Sequence, residues 1–223
     1  MGKIQIHRAG LTVSASPIEL EDLSRQFQQQ HAIVLEQFLE PGLLARVQEE
    51  VGRMQFVLLG HGAYATELSL PADGIATRML VLLTNNPQLF ALIERIANCP
   101  PLGRYDGRIY RHLPSPEFFI KWHNDLVEGR QVGMSINLGA DAYEGGVFEI
   151  RKARKLLSRV ANTTPGNALL FRIHQDLMHR VTTVKGGVPK TAFAGWFVDK
   201  TWGKPYWGLF SPPVFAKNRS LLG

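Results

Sequence analysis

The sequence predicts a mainly β fold with helices gathered toward its N-terminus, arranged as a distorted jelly roll of two facing sheets. Three observations lead there. Helix caps and apolar residues at helical spacing recur within residues 1–100, whereas strand-like runs bounded by turn residues fill residues 105–200. A chain of 223 residues with 45% hydrophobic content is also long enough to bury one full core. We therefore expect a single domain over residues 1–223: a helical N-terminal part (1–100), a jelly-roll core (105–200) and a C-terminal tail (201–223).

The elements follow in order. Ser16-Pro17-Ile18-Glu19 combines an N-cap serine, a proline at the first helical position and a glutamate at the third, and Leu20, Leu23 and Phe27 then share one face. This predicts a helix ending near Gln30. Residues 32–38 read as a strand. Pro41 opens a second helix carrying Leu43, Val47, Val51 and Met54, and Asn86-Pro87 opens a third carrying Phe90, Ile93 and Ala97. Between them, residues 59–74 are rich in Gly, Ala and Tyr and read as a loop bordering the mouth of a site. In the second half, Glu117-Phe118-Phe119-Ile120-Lys121-Trp122 has strand composition, and residues 164–171 read as a turn followed by a buried strand. The chain then turns through Gln175-Asp176, a strand begins at His179, and another begins at Lys190.

His123-Asn124-Asp125 and His179, which lies 54 residues after Asp125, supply two imidazoles and one carboxylate from two places in the chain. On an extended chain side chains alternate faces, so His123 and Asp125 point the same way. Two imidazoles and a carboxylate on one face of a metal leave positions open for a co-substrate and oxygen, the arrangement of non-haem Fe(II) oxygenases. His174, at the turn after Phe171-Arg172-Ile173, is the rival to His179; His7, His31, His61 and His112 read as surface or structural residues. Lys190 stands eleven positions after His179. If it faces inward, Ala192, Ala194 and Trp196 face inward with it, and an ammonium among small residues and an indole calls for a carboxylate ligand.

With these residues in view the chain resembles the Fe(II)- and 2-oxoglutarate-dependent dioxygenases, in particular their prolyl 4-hydroxylase-like branch. The resemblance spans residues 105–198 and rests on motifs in family order: Arg108-Ile109-Tyr110, Trp122-His123-Asn124-Asp125, Gly133-Met134-Ser135-Ile136-Asn137-Leu138, Tyr143-Glu144-Gly145-Gly146-Val147-Phe148-Glu149-Ile150, Pro165-Gly166-Asn167-Ala168-Leu169-Leu170-Phe171, His179-Arg180-Val181, and Lys190 through Trp196. It implies a double-stranded β-helix core with Fe(II) between the sheets, near one open end, on His123, Asp125 and His179. It implies that Lys190 pairs with the distal carboxylate of 2-oxoglutarate and that Tyr110 hydrogen-bonds the co-substrate. Lys185, in a glycine-flanked turn, is the alternative to Lys190. The cofactor set so implied is Fe(II), 2-oxoglutarate and O2, with ascorbate as a stimulant. The implied reaction couples oxidative decarboxylation of 2-oxoglutarate to C–H hydroxylation, and Asp125 favours hydroxylation over halogenation, because halogenating relatives carry a small residue there.

The expected substrate is a small metabolite or amino-acid-like molecule. A peptidyl, prolyl-type hydroxylase and a non-catalytic metal-binding or sensing module are the alternatives. The net charge of +6, pI ≈ 9.6 and the cluster Arg151-Lys152-Ala153-Arg154-Lys155 with Arg159 raise an acidic carrier protein or peptide as a partner. That cluster is expected to top a hairpin between strands at 147–150 and 156–161. Nucleic acid is disfavoured, because basic and aromatic residues do not alternate as a strand-binding groove requires. Trp202, Tyr206, Trp207 and Phe210 are expected to close the barrel. No 18-residue uncharged apolar stretch suggests a membrane span, and the single cysteine, Cys99, suits a reducing, cytoplasmic setting.

Overall fold

The computed structural model describes residues 2–127 and 129–202. The chain starts with a hairpin of β1 (Ile4–His7) and β2 (Gly10–Val13), then α1 (Pro17–Gln30), β3 (Ala32–Leu35) and α2 (Pro41–Gly52). A second hairpin of β4 (Val57–His61) and β5 (Ala65–Ser69) precedes α3 (Ile75–Thr84) and α4 (Pro87–Ala97). Strands then dominate: β6 (Leu102–His112), β7 (Phe119–His123), β8 (Arg130–Asn137), β9 (Glu144–Gly145), β10 (Phe148–Lys152) and β11 (Lys155–Val160). After them come β12 (Ala168–Arg172), β13 (Leu177–Val181), β14 (Val184–Lys185), β15 (Lys190–Asp199) and a short 3-10 turn, Lys200–Trp202.

The helix caps act as their residue types dictate. Ser16 Oγ accepts from Glu19 N at 3.3 Å while Glu19 Oε2 accepts from Ser16 N at 2.8 Å, so two otherwise orphaned amides are satisfied. His31, in the left-handed region at φ 59°, ends α1, and Leu20, Leu23 and Phe27 are buried along it. α2 stops at Gly52, just before the apolar spacing ends at Met54. β3 stops at Leu35, three residues short of the expected strand, because Gln37 turns to φ 51°. α3 is a helix the sequence did not announce: its N-cap is Gly74, with no side-chain capping bond to mark the start.

The main sheet has eleven strands, all paired antiparallel, in the order β11-β10-β13-β7-β5-β6-β15-β8-β12-β3 with β4 against β5. This is the jelly-roll core of a double-stranded β-helix, with one difference from two separate facing sheets: β5 pairs with both β6 and β7 and joins the two halves along one side. Residues 59–74, expected to be a loop, therefore supply the joining strand. The sequence hid it because β4 is largely exposed on both faces and its Gly and Ala surroundings read as turn. The helical part also contributes β3 to the far edge of the sheet, so it is not helical alone.

Alternation along β15 divides the interior. Phe193 and Phe197 are fully buried on the helix side, their ring centroids 5.6 and 4.7 Å from that of Tyr105, in a cluster shared with Leu80, Leu89, Ile93 and Ile96. Lys190, Ala194 and Trp196 face the opposite way, into a cavity between the halves of the roll. Tyr206, Trp207 and Phe210, expected to close the barrel, lie outside the described residues; Trp202 is exposed.

Candidate metal centre and co-substrate cavity

β7 runs from Phe119 to His123, and its partner β13 places His179 directly opposite His123 in the cross-strand register. β13 begins at Leu177, two residues before the expected start, so His179 sits inside the strand, where its ring packs on Phe171 and Phe148 at 4.8 and 5.6 Å. Gly133 lies opposite Phe171 on β8, and a Cβ there would overlap the Phe171 ring. Asp125 lies two residues beyond the end of β7. Asn124, between the histidine and the aspartate, fastens two segments together. Its Nδ2 donates to the carbonyls of His174 and Leu177, both at 2.8 Å, and so ties the turn before β13 to the end of β7.

His123, Asp125 and His179 bring their donor atoms within 4.8 Å of one another. His179 Nε2 stands 3.2 Å from Asp125 Oδ2, and His123 Nε2 stands 3.6 Å from Asp125 Oδ1. His123 Nδ1 lies 2.8 Å from the Lys121 carbonyl, which can only accept, so the proton is on Nδ1 and Nε2 offers its lone pair to the centre. Burial, then the neighbouring His179, lowers the His123 pKa and keeps that imidazole neutral. Burial would raise the Asp125 carboxyl, but the hydrogen bonds from His179 and Trp196 bring it well below the usual carboxylate range. Two imidazole nitrogen donors and one ionised carboxylate on one side of a cavity fit Fe(II).

That cavity, about 100 Å³, is lined by the three donors together with Tyr110, Lys190, Arg108, Glu67 and Trp196. Lys190 is 6% exposed; its Nζ reaches the Gly146 carbonyl at 3.5 Å and lies 5.9 Å from the ring centroids of Tyr110 and Tyr143. Burial pulls its pKa down, the two tyrosines push it up, and the net shift is upward, so the ammonium keeps its charge. No acidic side chain among the described residues pairs with it. Lys185 is exposed on β14, and His174, with a half-exposed side chain beside Asp176, is not part of the donor cluster.

Other cavity residues escaped the sequence. Trp196 was expected to face inward with Lys190, but not to touch Asp125: its Nε1 donates to Asp125 Oδ2 at 2.7 Å and Arg130 Cζ lies 3.7 Å from its ring centroid. Only the inward phase of β15 hinted at this. Glu67 lay in the stretch read as loop; it is 1% exposed and holds Arg108 through two hydrogen bonds. Arg111, three residues along β6, donates to Thr191 at 2.9 Å, and Asn137 binds the Asn162 carbonyl. The expected basic hairpin is β10-β11, turning at Ala153 (φ 52°). Its cations are partly engaged: Arg151 lies on Trp122, Lys152 pairs with Asp176 and Arg159 with Glu149, while Arg180 of the neighbouring β13 shares both Trp122 and Glu149.

No helix among the described residues is long and apolar enough to cross a membrane. No curated protein sequence matches the chain. Among solved structures, the chain is similar to an oxidoreductase of the 2OG-Fe(II) oxygenase family from Burkholderia pseudomallei (TM-score 0.66, 15% identity, covering 92% of this chain and all of that one). It is also similar to a Pseudomonas putida prolyl-4-hydroxylase (TM-score 0.60, 15% identity, 81% and 98% covered). A third likeness is to SnoN, a non-heme alpha ketoglutarate dependent epimerase from nogalamycin biosynthesis (TM-score 0.62, 15% identity, 82% of each chain). At such identities these likenesses speak for the fold. Residues 107–198 match the family model described as 2OG-Fe(II) oxygenase superfamily. That stretch is the jelly-roll core, and over it the chain is similar to the 2OG-Fe(II) oxygenases, oxidoreductases that use Fe(II), 2-oxoglutarate and O2.

Proposed function

We propose that this enzyme hydroxylates a small metabolite or amino-acid-like substrate at a C–H bond, coupled to decarboxylation of 2-oxoglutarate. One observation carries the reading: a buried lysine with no carboxylate partner among the described residues lines the same cavity as two imidazoles and a carboxylate. A buried cation without an anion is costly, and a dicarboxylic co-substrate would remove that cost. His123, Asp125 and His179 would hold the iron, Lys190 would receive the distal carboxylate, and Tyr110 would hydrogen-bond the co-substrate. Bound iron supplies the oxygen activation; the protein supplies position.

Each residue's part follows from its contacts. The Lys121 carbonyl holds His123 in the ligating tautomer, Trp196 fixes the Asp125 carboxylate, and Phe148 and Phe171 hold the His179 ring and keep that wall dry. Phe148, Leu169, Phe171 and Val181 line the cavity with groups that exclude water and offer no acidic proton to the reacting atoms.

A small substrate is favoured over a peptide by the modest, walled cavity. The structural relatives are named for epimerisation and prolyl hydroxylation alike, so the reaction assigned here rests on the site rather than on them. An acidic carrier is disfavoured by the internal partners of the basic hairpin. The test is succinate release from 2-oxoglutarate in the presence of Fe(II), screened with small amines, acids and amino acids, with product mass read for one added oxygen. Stimulated succinate release with a hydroxylated product supports the reading. Stimulation only by peptides moves it to the peptidyl alternative, and no succinate under any condition overturns it.

A further inference from the structure

Arg108 lines the cavity from β6, four residues along the strand pair from Lys190. Its Nε and Nη2 donate to Glu67 Oε1 and Oε2 at 2.7 and 3.0 Å, and Oε1 also stands 3.3 Å from His61 Nε2. Glu67 is 1% exposed, with both oxygens engaged, and its carboxyl is held at about 2: burial would raise it, and His61 and Arg108 lower it. It is therefore a buttress for the arginine and not a receptor for a cation. With one edge of the guanidinium fixed, the Nη1–Nη2 edge remains, and no described residue accepts from Nη1. The Arg108 side chain is 31% accessible, although its Cζ stands 5.7 Å from the Trp196 ring and 6.0 Å from that of Tyr110. Arg108 is also a lining residue of the cavity.

The register gives its place relative to the co-substrate anchor. Lys190 pairs with His112 and Arg108 with Ala194, four residues along the same strand pair, or about 13 Å. The two cations thus enter the cavity four residues apart along the strands, with the Tyr110 ring 5.9 Å from Lys190 Nζ and 6.0 Å from Arg108 Cζ. Trp196, whose ring is 5.7 Å from Arg108 Cζ, places its Nε1 on Asp125, so a group bound by Arg108 lies near the proposed metal. A guanidinium locked on one edge and open on the other is a planar two-point donor, which matches a carboxylate better than a hydroxyl or an amide.

We propose that Arg108, positioned by Glu67, is a carboxylate-binding subsite for the substrate, which makes the substrate a small organic acid. This rests on the oxygenase reading above. The experiment uses the protein loaded with Mn(II) and 2-oxoglutarate and reads paramagnetic broadening of the proton signals of small carboxylic acids, each matched with its primary amide. Broadening of the 2-oxoglutarate protons, read before any probe is added, checks the oxygenase reading separately; its absence removes that reading and not merely this subsite. The expected result is that acids are broadened in preference to their amides, and that Arg108→Gln weakens acid binding by about tenfold or more while 2-oxoglutarate stays bound. The double variant Glu67→Gln/Arg108→Gln, which leaves no unpaired buried charge, should show the same loss with a native circular dichroism spectrum. Equal binding of acids and amides, failure of any acid to bind, or wild-type affinity in either variant would overturn the proposal. Preference for a capped peptide with an internal aspartate over every free acid would overturn the small-acid assignment.

Discussion

The two faces of the strand pair β6 and β15 carry different kinds of interior. Toward the helices, Tyr105, Ile109, Phe193 and Phe197 are fully buried and apolar, and the one hydroxyl among them, Tyr105 Oη, donates to the Met134 carbonyl. Toward the cavity the same strands present Arg108, Tyr110, Lys190 and Trp196. A close-packed face tolerates loss of volume poorly, whereas a polar face tolerates loss of a partner poorly. Stability and chemistry are thus separated here by a single residue of alternation, and each face should fail in its own way.

The sharpest division should come from His179→Ala, which on the proposed assignment removes one metal donor and should bring Fe(II)-dependent succinate release to background while the melting temperature changes little. Loss of folding instead would place His179 on the stability side. Phe197→Ala should do the converse, costing about 3–5 kcal/mol in denaturant unfolding because a fully buried ring leaves a cavity. Next in size, Lys190→Ala should raise the apparent KM for 2-oxoglutarate by about tenfold or more with kcat partly restored at saturation; an unchanged KM would point to a different anchor.

Two smaller effects appear in the pH dependence of stability. Glu67 titrates at about 2 in the fold against 4.5 unperturbed, so its contribution is full above pH 4.5 and is lost as pH falls toward 2. That loss amounts to about 3 kcal/mol, and Glu67→Gln should flatten the profile in this window. His112 is 1% exposed with Nε2 unpartnered, and burial followed by the charge of Lys190 lowers it from 6.5 to about 3. The unfolded chain then binds a proton that the fold refuses, so stability falls as pH drops from 6.5 toward 3. His112→Leu should remove that slope, and a slope retained in unfolding titrations would show that another group causes it.

Much of this was legible because local chemistry and tertiary need coincide. The Ser16–Glu19 capping box, the buried strand at β12 and the inward phase of Lys190 each follow from residue type and spacing. The triad was legible because His123 and Asp125 lie one residue apart at a strand end and His179 meets His123 across a ladder. What stayed hidden depends on partners distant in sequence. β5 looks like loop until it pairs with β6 and β7, and only then does Glu67 face Arg108. α3 lacks a cap, and Trp196 declares its link to Asp125 only when segments 71 residues apart are brought together.

The central claim is that His123, Asp125, His179 and Lys190 form one Fe(II) and 2-oxoglutarate site. Its most direct test is anaerobic titration of the purified protein with Fe(II) and 2-oxoglutarate, followed by the weak visible charge-transfer absorption of the chelate, in wild type and Asp125→Ala. A band that saturates in the wild type and is lost or strongly weakened in the variant is the expected result. A wild type without the band, or a variant with the full band, would contradict the assignment.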